Sequence, residues 1–318
     1  MFIERYNPAL EQFVEEARAF NEKFAAQLPA GPFDLTTPEG LAKARTISAF
    51  DALKPRGGAI EAEDRVVRAG TRSVPVRMIV PASTPRAVYL DIHGGGFFLG
   101  AAAMGDADNT EAANELDVAV VSVDYRLAPE HPWPAAPDDC ETAALWVLER
   151  AVSEFGTDRV LIGGGSAGAH LAAVTLLRMR DRHDAASRFV AADLVFGLYD
   201  LSGMSPGGRI LAPTSNFYIE AYLRRVPKKK RVDADVSPLF ADLRGLPPAL
   251  FTVGTLDAFF EDNLAMAMRW VAAGNLAELA IYPESPHAFT AFPTAMAHAA
   301  KRRQRDWLAE RLSTMGEQ

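Results

Sequence analysis

The chain has 318 residues, 49% of them hydrophobic and 23% charged, and its 33 basic against 41 acidic side chains give a formal net charge of −8. This apolar content at this length predicts a globular protein with a large core and excludes wholesale disorder. The acidic balance argues against a nucleic-acid binder, and the single cysteine, Cys140, excludes an internal disulfide and a cysteine-based structural zinc site.

Two helices are predicted at the N-terminus. Asn7 is a candidate cap, Pro8 suits a first helical position, and apolar residues then recur at helical spacing over residues 8–28. A shorter helix is predicted over 38–53, before Pro55. Glutamates occupy the segment where a signal peptide needs an apolar stretch, and no run approaches the roughly 20 apolar residues of a membrane span. We therefore expect a soluble, cytoplasmic protein.

Strands and helices alternate from residue 60 onward. Residues 60–69 and 71–80 predict two strands that form a hairpin around Gly70. Further strands are predicted over 87–92, 118–123, 160–162, 194–198, 249–253 and 279–282, and helices over 137–154, 167–180, 262–273 and 294–312. Such alternation predicts an α/β fold with a mostly parallel central sheet and helices on both faces.

Residues 201–236 interrupt this alternation, because they separate two strands without a clear crossover helix. The stretch holds Phe217, Tyr218 and Tyr222, followed by a basic run over 224–231. We interpret that run as a solvated insertion loop, since it stands in a chain of net negative charge.

The turn after strand 160–162 carries two overlapping glycine motifs. Gly163 opens GxGxxG, which is typical of dinucleotide sites, and Gly164 opens GxSxG, a nucleophile elbow that would present Ser166. A dinucleotide site also needs an acidic residue about 20 positions later. The chain has none around Arg188. Each motif alone is weak, so a nucleotide-dependent oxidoreductase stays open at this point.

A second glycine-rich turn, residues 93–97, directly follows strand 87–92. Its three successive glycines let the backbone approach a ligand and present amide N–H groups to it, as an oxyanion hole requires. We predict that Gly94, Gly95 and Ala167 form this hole, and we interpret His93 as a brace for the loop.

A serine nucleophile needs a base, and the base needs an orienting carboxylate. His287 is the predicted base because, among the histidines, it alone lies on a turn after a late strand. His170, on the helix after the serine, is the runner-up. Asp257 is the predicted carboxylate. Its rivals are Asp200, which ends an earlier strand, and Asp262, which we interpret as the N-cap of the next helix.

With these turns the chain resembles the hormone-sensitive-lipase-like esterases of the α/β-hydrolase superfamily. Residues 124–135 (DYRLAPEHPWPA) resemble that family's stretch after the fourth strand, and the resemblance extends from about residue 60 to the end. It implies an α/β-hydrolase catalytic domain over 56–318 with a helical cap built from 1–55 and 201–236. The implied activity is hydrolysis of short- to medium-chain carboxylic esters through a serine acyl-enzyme, without cofactor or metal.

The resemblance also has departures and alternatives. Gly165 stands where the family carries an acidic residue or threonine, and Ala169 where a glycine is usual, which puts substrate preference in question. An amidase, lactonase or deacetylase could use the same side chains, whereas the presence of His287 argues against a non-catalytic small-ligand receptor. The expected partner is a small-molecule ester, and a homodimer is left open. If the first helix covers the strand ends, the pocket would be lined by Phe97, Phe98, Phe217, Tyr218 and Phe259.

Overall fold

In the computed structural model, which describes residues 7–26, 34, 37–45, 60–207 and 217–314, one eight-stranded sheet runs through the molecule. Its strands are β1 Glu63–Ala69, β2 Arg72–Ile79, β3 Ala87–Ile92, β4 Val118–Val123, β5 Val160–Gly165, β6 Phe189–Val195, β7 Ala249–Gly254 and β8 Ala277–Tyr282. They lie in the order β1-β2-β4-β3-β5-β6-β7-β8, and β2 alone among them runs opposite to the others. The predicted α/β class and the mostly parallel sheet are confirmed.

Helices cover both faces of the sheet, as predicted. The helices include α1 Val14–Ala25, α2 Pro38–Arg45, α3 Asp106–Leu116, α4 Ala135–Phe155, α5 Ala167–His183, α6 Phe260–Ala272 and α7 Ala295–Thr314. Buried residues of α4, α5 and α6 form one apolar cluster with the sheet, and those of α1, α3 and α7 form a second. Central strands such as β4 and β7 are buried along their whole length, which explains their continuous apolar sequences.

Several element bounds differ from the prediction. The first helix begins as a 3₁₀ segment over Pro8–Phe13. The second helix covers Pro38–Arg45, and the rest of its predicted span, 46–53, lies outside the described residues. Helix α3 was not predicted, because it buries the polar or small side chains of Asn109, Thr110 and Ala113 and therefore lacks an apolar stripe. Strand β6 ends at Val195, three residues before the predicted end.

Two carboxylates flank the central strand β5, one on each side. Asp91 on β3 and Asp193 on β6 both pair in register with Gly163 on β5. Asn109 and Ser122 donate hydrogen bonds of 2.9 and 2.8 Å to Asp91, whereas Oδ1 of Asp193 has no partner among the described residues. Burial, reinforced by the charge of Asp91, raises the pKa of Asp193 to about 7.

This raised pKa makes the stability of the fold depend on pH. Between about pH 4 and 7 the folded chain keeps the proton on Asp193 while the unfolded chain releases it, so the free energy of unfolding falls as pH rises. We expect Asp193→Asn to unfold like the wild type at pH 4 and to be more stable by about 1–4 kcal/mol at pH 8. Urea denaturation at both pH values measures this difference. Asp64, whose side chain is 77% exposed, provides the control: Asp64→Asn should show no such pH-dependent gain in the free energy of unfolding. An equal gain in both variants would contradict a raised pKa at Asp193.

Candidate active site

Ser166 occupies a strained turn between the central strand β5 and helix α5. Its φ of 58° and ψ of −119° lie outside the ordinary regions for a residue with a side chain. The Ser166 amide donates a 2.8 Å hydrogen bond to the Val195 carbonyl, which ties the turn to the end of β6. A side chain at Gly168 would collide with the carbonyl oxygen of Ile92, so glycine at this position lets α5 pack directly against β3. The serine hydroxyl is thereby held, half-buried, at the carboxyl end of the sheet.

The three side chains predicted as nucleophile, base and carboxylate form one hydrogen-bonded chain. Nε2 of His287 lies 2.8 Å from Oγ of Ser166. Nδ1 of the same ring lies 2.9 and 3.1 Å from the two carboxylate oxygens of Asp257. The Asp257 side chain is fully buried, whereas that of His287 is 34% exposed. A buried carboxylate on Nδ1 orients the ring so that Nε2 can accept the serine proton.

The turns that carry Asp257 and His287 are joined to each other by their backbones. Strands β7 and β8 are neighbours, and beyond their ends the Leu256 amide donates a 3.1 Å hydrogen bond to the Ser285 carbonyl. The amide of Phe259 adds a 2.8 Å hydrogen bond to Oδ1 of Asp257. The carboxylate therefore receives hydrogen bonds from both its own turn and the histidine.

The rival histidines have other partners. His170 is 1% exposed, and its Nδ1 lies 2.7 Å from the carbonyl of Leu198. Burial lowers the pKa of both His170 and His93 to about 4, so each ring stays neutral near neutral pH. His183 lies at the end of α5 that is distant from Ser166, and its Nε2 is 2.8 Å from a carboxylate oxygen of Glu141.

The rival carboxylates have structural roles. Asp200 accepts hydrogen bonds from the amides of Ser202 and Ser205, at 2.8 and 2.7 Å, and so stabilises its own turn. The interpretation of Asp262 as an N-cap is wrong, because α6 begins at Phe260. Its carboxylate instead accepts hydrogen bonds from the amides after β6, at Tyr199 and Asp200, at 2.7 and 3.0 Å.

The loop after β3 approaches the serine closely. A Cβ added to Gly94 would lie 2.8 Å from the carbonyl oxygen of Gly165 and 3.6 Å from Cβ of Ser166, so this position cannot hold a side chain without displacing the turn. The His93 ring stacks on Tyr125 at 4.1 Å, and its Nδ1 lies 2.7 Å from the carbonyl of Gly94. These contacts match the predicted role of His93 as a brace for the loop.

Four of the five predicted pocket aromatics contact one another or the His287 ring. Phe98 packs in an aromatic cluster with Phe217 and Tyr218, at centroid distances of 6.0 and 6.2 Å, and Phe259 meets the His287 ring at 5.0 Å. Phe97 is different, because it is fully buried and stacks on Tyr222 at 4.1 Å. The prediction that Phe97 lines the pocket is wrong, since its backbone turn (φ 66°) directs the ring into the core.

The two N-terminal helices pack against different parts of the molecule. Only the first of them was considered above as a cover for the predicted pocket aromatics. Rings of α1 pack away from the predicted pocket aromatics: Phe20 and Phe24 each contact Phe292 at 4.8 Å. Within the described N-terminal residues, helix α2 joins the aromatic cluster, because Leu41 and Ala44 pack with Phe98.

One residue that contacts His287 was not identified from the sequence. Phe196, the first residue after β6, contacts the His287 ring at a centroid distance of 5.0 Å. The sequence placed it inside a predicted strand and so in the core. The glycine at 197, directly after it, was the available signal that the chain turns here.

None of the described helices combines the length and the apolar character that a bilayer crossing requires.

Comparison with known proteins gives concordant matches. The family described as alpha/beta hydrolase fold matches residues 89–291. Carboxylesterase NlhH of Mycobacterium tuberculosis is 34% identical over 73% of this chain and 76% of its own length. Carboxylic ester hydrolase LipN of the same organism is 32% identical over 72% of this chain, which spans only 64% of LipN. A crystal structure of a hormone-sensitive lipase from a metagenome library superposes with a TM-score of 0.73 and 26% identity, covering 98% of this chain and all of that one.

Proposed function

The chain belongs to the α/β-hydrolase fold family and is similar to its hormone-sensitive-lipase-like members, and on that premise we propose that it is a serine carboxylesterase. The observation that carries the proposal is the continuous chain of hydrogen bonds from Ser166 through His287 to Asp257. Further support comes from the strands that precede these residues: Ser166 follows β5, Asp257 follows β7 and His287 follows β8, and open α/β folds bind ligands at the carboxyl ends of such strands.

The reaction begins with attack of Ser166 Oγ on the ester carbonyl. His287 Nε2, 2.8 Å away, takes the hydroxyl proton as the new C–O bond forms, and Asp257 stabilises the resulting imidazolium. Collapse of the tetrahedral intermediate breaks the ester bond, and the imidazolium returns its proton to the leaving alcohol. Water then attacks the acyl carbonyl while His287 accepts a proton from it. The second tetrahedral intermediate breaks the bond between the acyl carbon and Oγ, the imidazolium returns its proton to Oγ, and the carboxylic acid departs.

Backbone amides of Gly94, Gly95 and Ala167 stabilise the oxyanion. The Gly94 loop lies against the Gly165–Ser166 peptide, and Ala167 is the first residue of α5. The amides at the N-terminus of a helix have no partner within the helix, and its dipole favours negative charge there. In the described part of the chain we find no acceptor for any of the three N–H groups.

A cap formed from residues 1–55 and 201–236 limits the acyl pocket of the catalytic domain, 56–318. Its support is the contact of α2 with Phe98, Phe217 and Tyr218, which brings the two cap segments together beside the loop after β3. The remainder of the predicted cap at 1–6, 27–33, 35–36, 46–55 and 208–216 lies outside the described residues. A pocket closed by aromatic side chains favours short and medium acyl chains over long lipid chains.

A panel of p-nitrophenyl esters tests this function. We expect turnover of acetate to hexanoate esters, with kcat/KM falling for chains of about ten carbons or more because the covered pocket excludes them. Phe217→Ala should raise KM for hexanoate more than for acetate, since each buried methylene contributes about 0.8 kcal/mol to binding.

The matched control for this panel is Phe240→Ala, an aromatic that is 41% exposed and lies outside the aromatic cluster. It should leave the chain-length profile unchanged. Turnover of amides without turnover of esters would show that the protein is an amidase and not a carboxylesterase. A Phe217→Ala profile identical to that of the wild type would show that Phe217 does not line the pocket.

A further inference from the structure

Two phenylalanine rings contact the imidazole of His287. Phe196 and Phe259 each meet it edge-to-face, with centroid distances of 5.0 Å and interplanar angles of 67° and 79°. Each phenylalanine is 6% exposed. These contacts restrict the plane of a ring that is itself partly exposed, and hydrogen bonds through its two nitrogens alone would leave that plane less defined.

A single buried amide holds both phenylalanine-bearing segments. Nδ2 of Asn263 donates to the carbonyls of Gly197 and Phe259, at 2.9 and 2.8 Å, and its Oδ1 accepts a 3.2 Å hydrogen bond from the Gly197 amide. Asn263 is fully buried. The turn after β6 and the start of α6 are therefore fixed relative to each other by one side chain.

The backbone of Phe196 is in a conformation that bulky residues seldom adopt. Its φ is 39°, and its amide donates a 2.6 Å hydrogen bond to the Thr252 carbonyl of β7. Strain of this kind persists only where the surroundings over-determine the conformation, and it concentrates at functional sites. The strained turn directs the Phe196 ring toward His287.

Gly165 supplies the space that this ring occupies. A Cβ added there would lie 3.1 Å from Cε2 and 3.5 Å from Cζ of Phe196, closer than the ring can accept without shifting. A side chain at residue 165, directly before the nucleophile, would therefore press on the ring that contacts His287.

We propose that Phe196 is a positioning residue for His287, admitted by Gly165 and anchored through Asn263, and this role rests on the proposed esterase function. In the acyl-enzyme Oγ of Ser166 no longer carries a proton, so the hydrogen bond to Nε2 is lost. The imidazole must then stay aligned for the incoming water through Asp257 and the ring contacts. Deacylation is therefore the step that depends most on Phe196.

A double-mutant cycle tests the role, using Phe196→Leu, Gly165→Ala and the combined variant. We expect Phe196→Leu to lower kcat for p-nitrophenyl acetate about 10- to 100-fold, because small misalignments at a reacting group cost this much. KM should fall with kcat and kcat/KM should change little, since slower deacylation lets the acyl-enzyme accumulate. The burst of p-nitrophenol should become more pronounced as deacylation slows. Gly165→Ala should lower kcat in the wild type yet have little effect in the Phe196→Leu background, because the shorter side chain lacks the ring atoms that the added Cβ would meet.

Phe155→Leu is the matched control, since Phe155 is also 6% exposed and packs against Trp146 in the core. Its melting temperature should fall while kcat and the burst stay unchanged. If Phe196→Leu behaves like this control, or if the Gly165 and Phe196 effects simply add, the positioning role is overturned while the esterase function stands. A wild type without Ser166-dependent turnover would overturn both.

Discussion

Ser166→Ala is expected to lower ester turnover by about 10⁴- to 10⁶-fold, because without the nucleophile only substrate binding and the oxyanion amides still assist hydrolysis by water. The geometry supports this expectation, since Ser166 is the hydroxyl that His287 Nε2 contacts at 2.8 Å. Steady-state hydrolysis of p-nitrophenyl butyrate measures the loss, and circular dichroism establishes that the variant is folded.

Covalent labelling gives an independent measurement of the same residue. A fluorophosphonate should add to Ser166 and to no other serine, as shown by mass spectrometry of the digested protein, and Ser166→Ala should remain unlabelled. Ser153→Ala, which changes an exposed serine of α4, serves as the control and should label and turn over like the wild type. Labelling at another serine, or near-normal turnover in Ser166→Ala, would refute the assignment.

Replacing His287 by alanine should abolish turnover to a similar extent, because the serine then has no base. His170→Asn should stay within a few-fold of the wild type, since His170 is bonded to the Leu198 carbonyl and not to the serine. The two variants are compared by kcat/KM with the same ester. If both variants lost kcat/KM to the same extent, the assignment of His287 rather than His170 as the base would be wrong.

The pH profile tests the same base. Activity should fall as pH falls, because a protonated imidazole cannot accept the serine proton. Burial lowers the pKa of His93 and of His170 to about 4, so both rings stay neutral above pH 5 and neither accounts for a loss of activity in that range. A kcat/KM profile that stays flat down to pH 5 would count against a histidine base.

The sequence predicted those parts of the molecule whose chemistry is local. Ser166 was recognisable because glycines are needed where a strand turns sharply into a helix. Asp257 and His287 followed because a late strand precedes each of them. The described structure brings these three within hydrogen-bonding distance.

What the sequence could not predict depends on contacts between distant segments. Phe97 and Phe98 are adjacent and chemically identical, yet Phe97 stacks on Tyr222 in the core and Phe98 packs against helix α2. Asn263 lies inside a helix pattern, and its importance comes from two carbonyls, one of them 66 residues away. No spacing rule distinguishes such residues, because their partners are set by the packing of the whole sheet.

The order of the strands has a consequence for partial unfolding. Within the described sheet β8 is an outer strand that pairs only with β7, whereas β5 lies between β3 and β6. His287 therefore follows a strand with one set of ladder hydrogen bonds, and Ser166 follows a strand with two. Local opening in native proteins begins where the fewest such bonds must break. We therefore expect opening of β8 to displace His287 before Ser166 and the glycine loop move, so that ester cleavage is lost before the rest of the site opens. Hydrogen exchange of the β8 amides measures this opening, and it should be faster than exchange of the β5 amides.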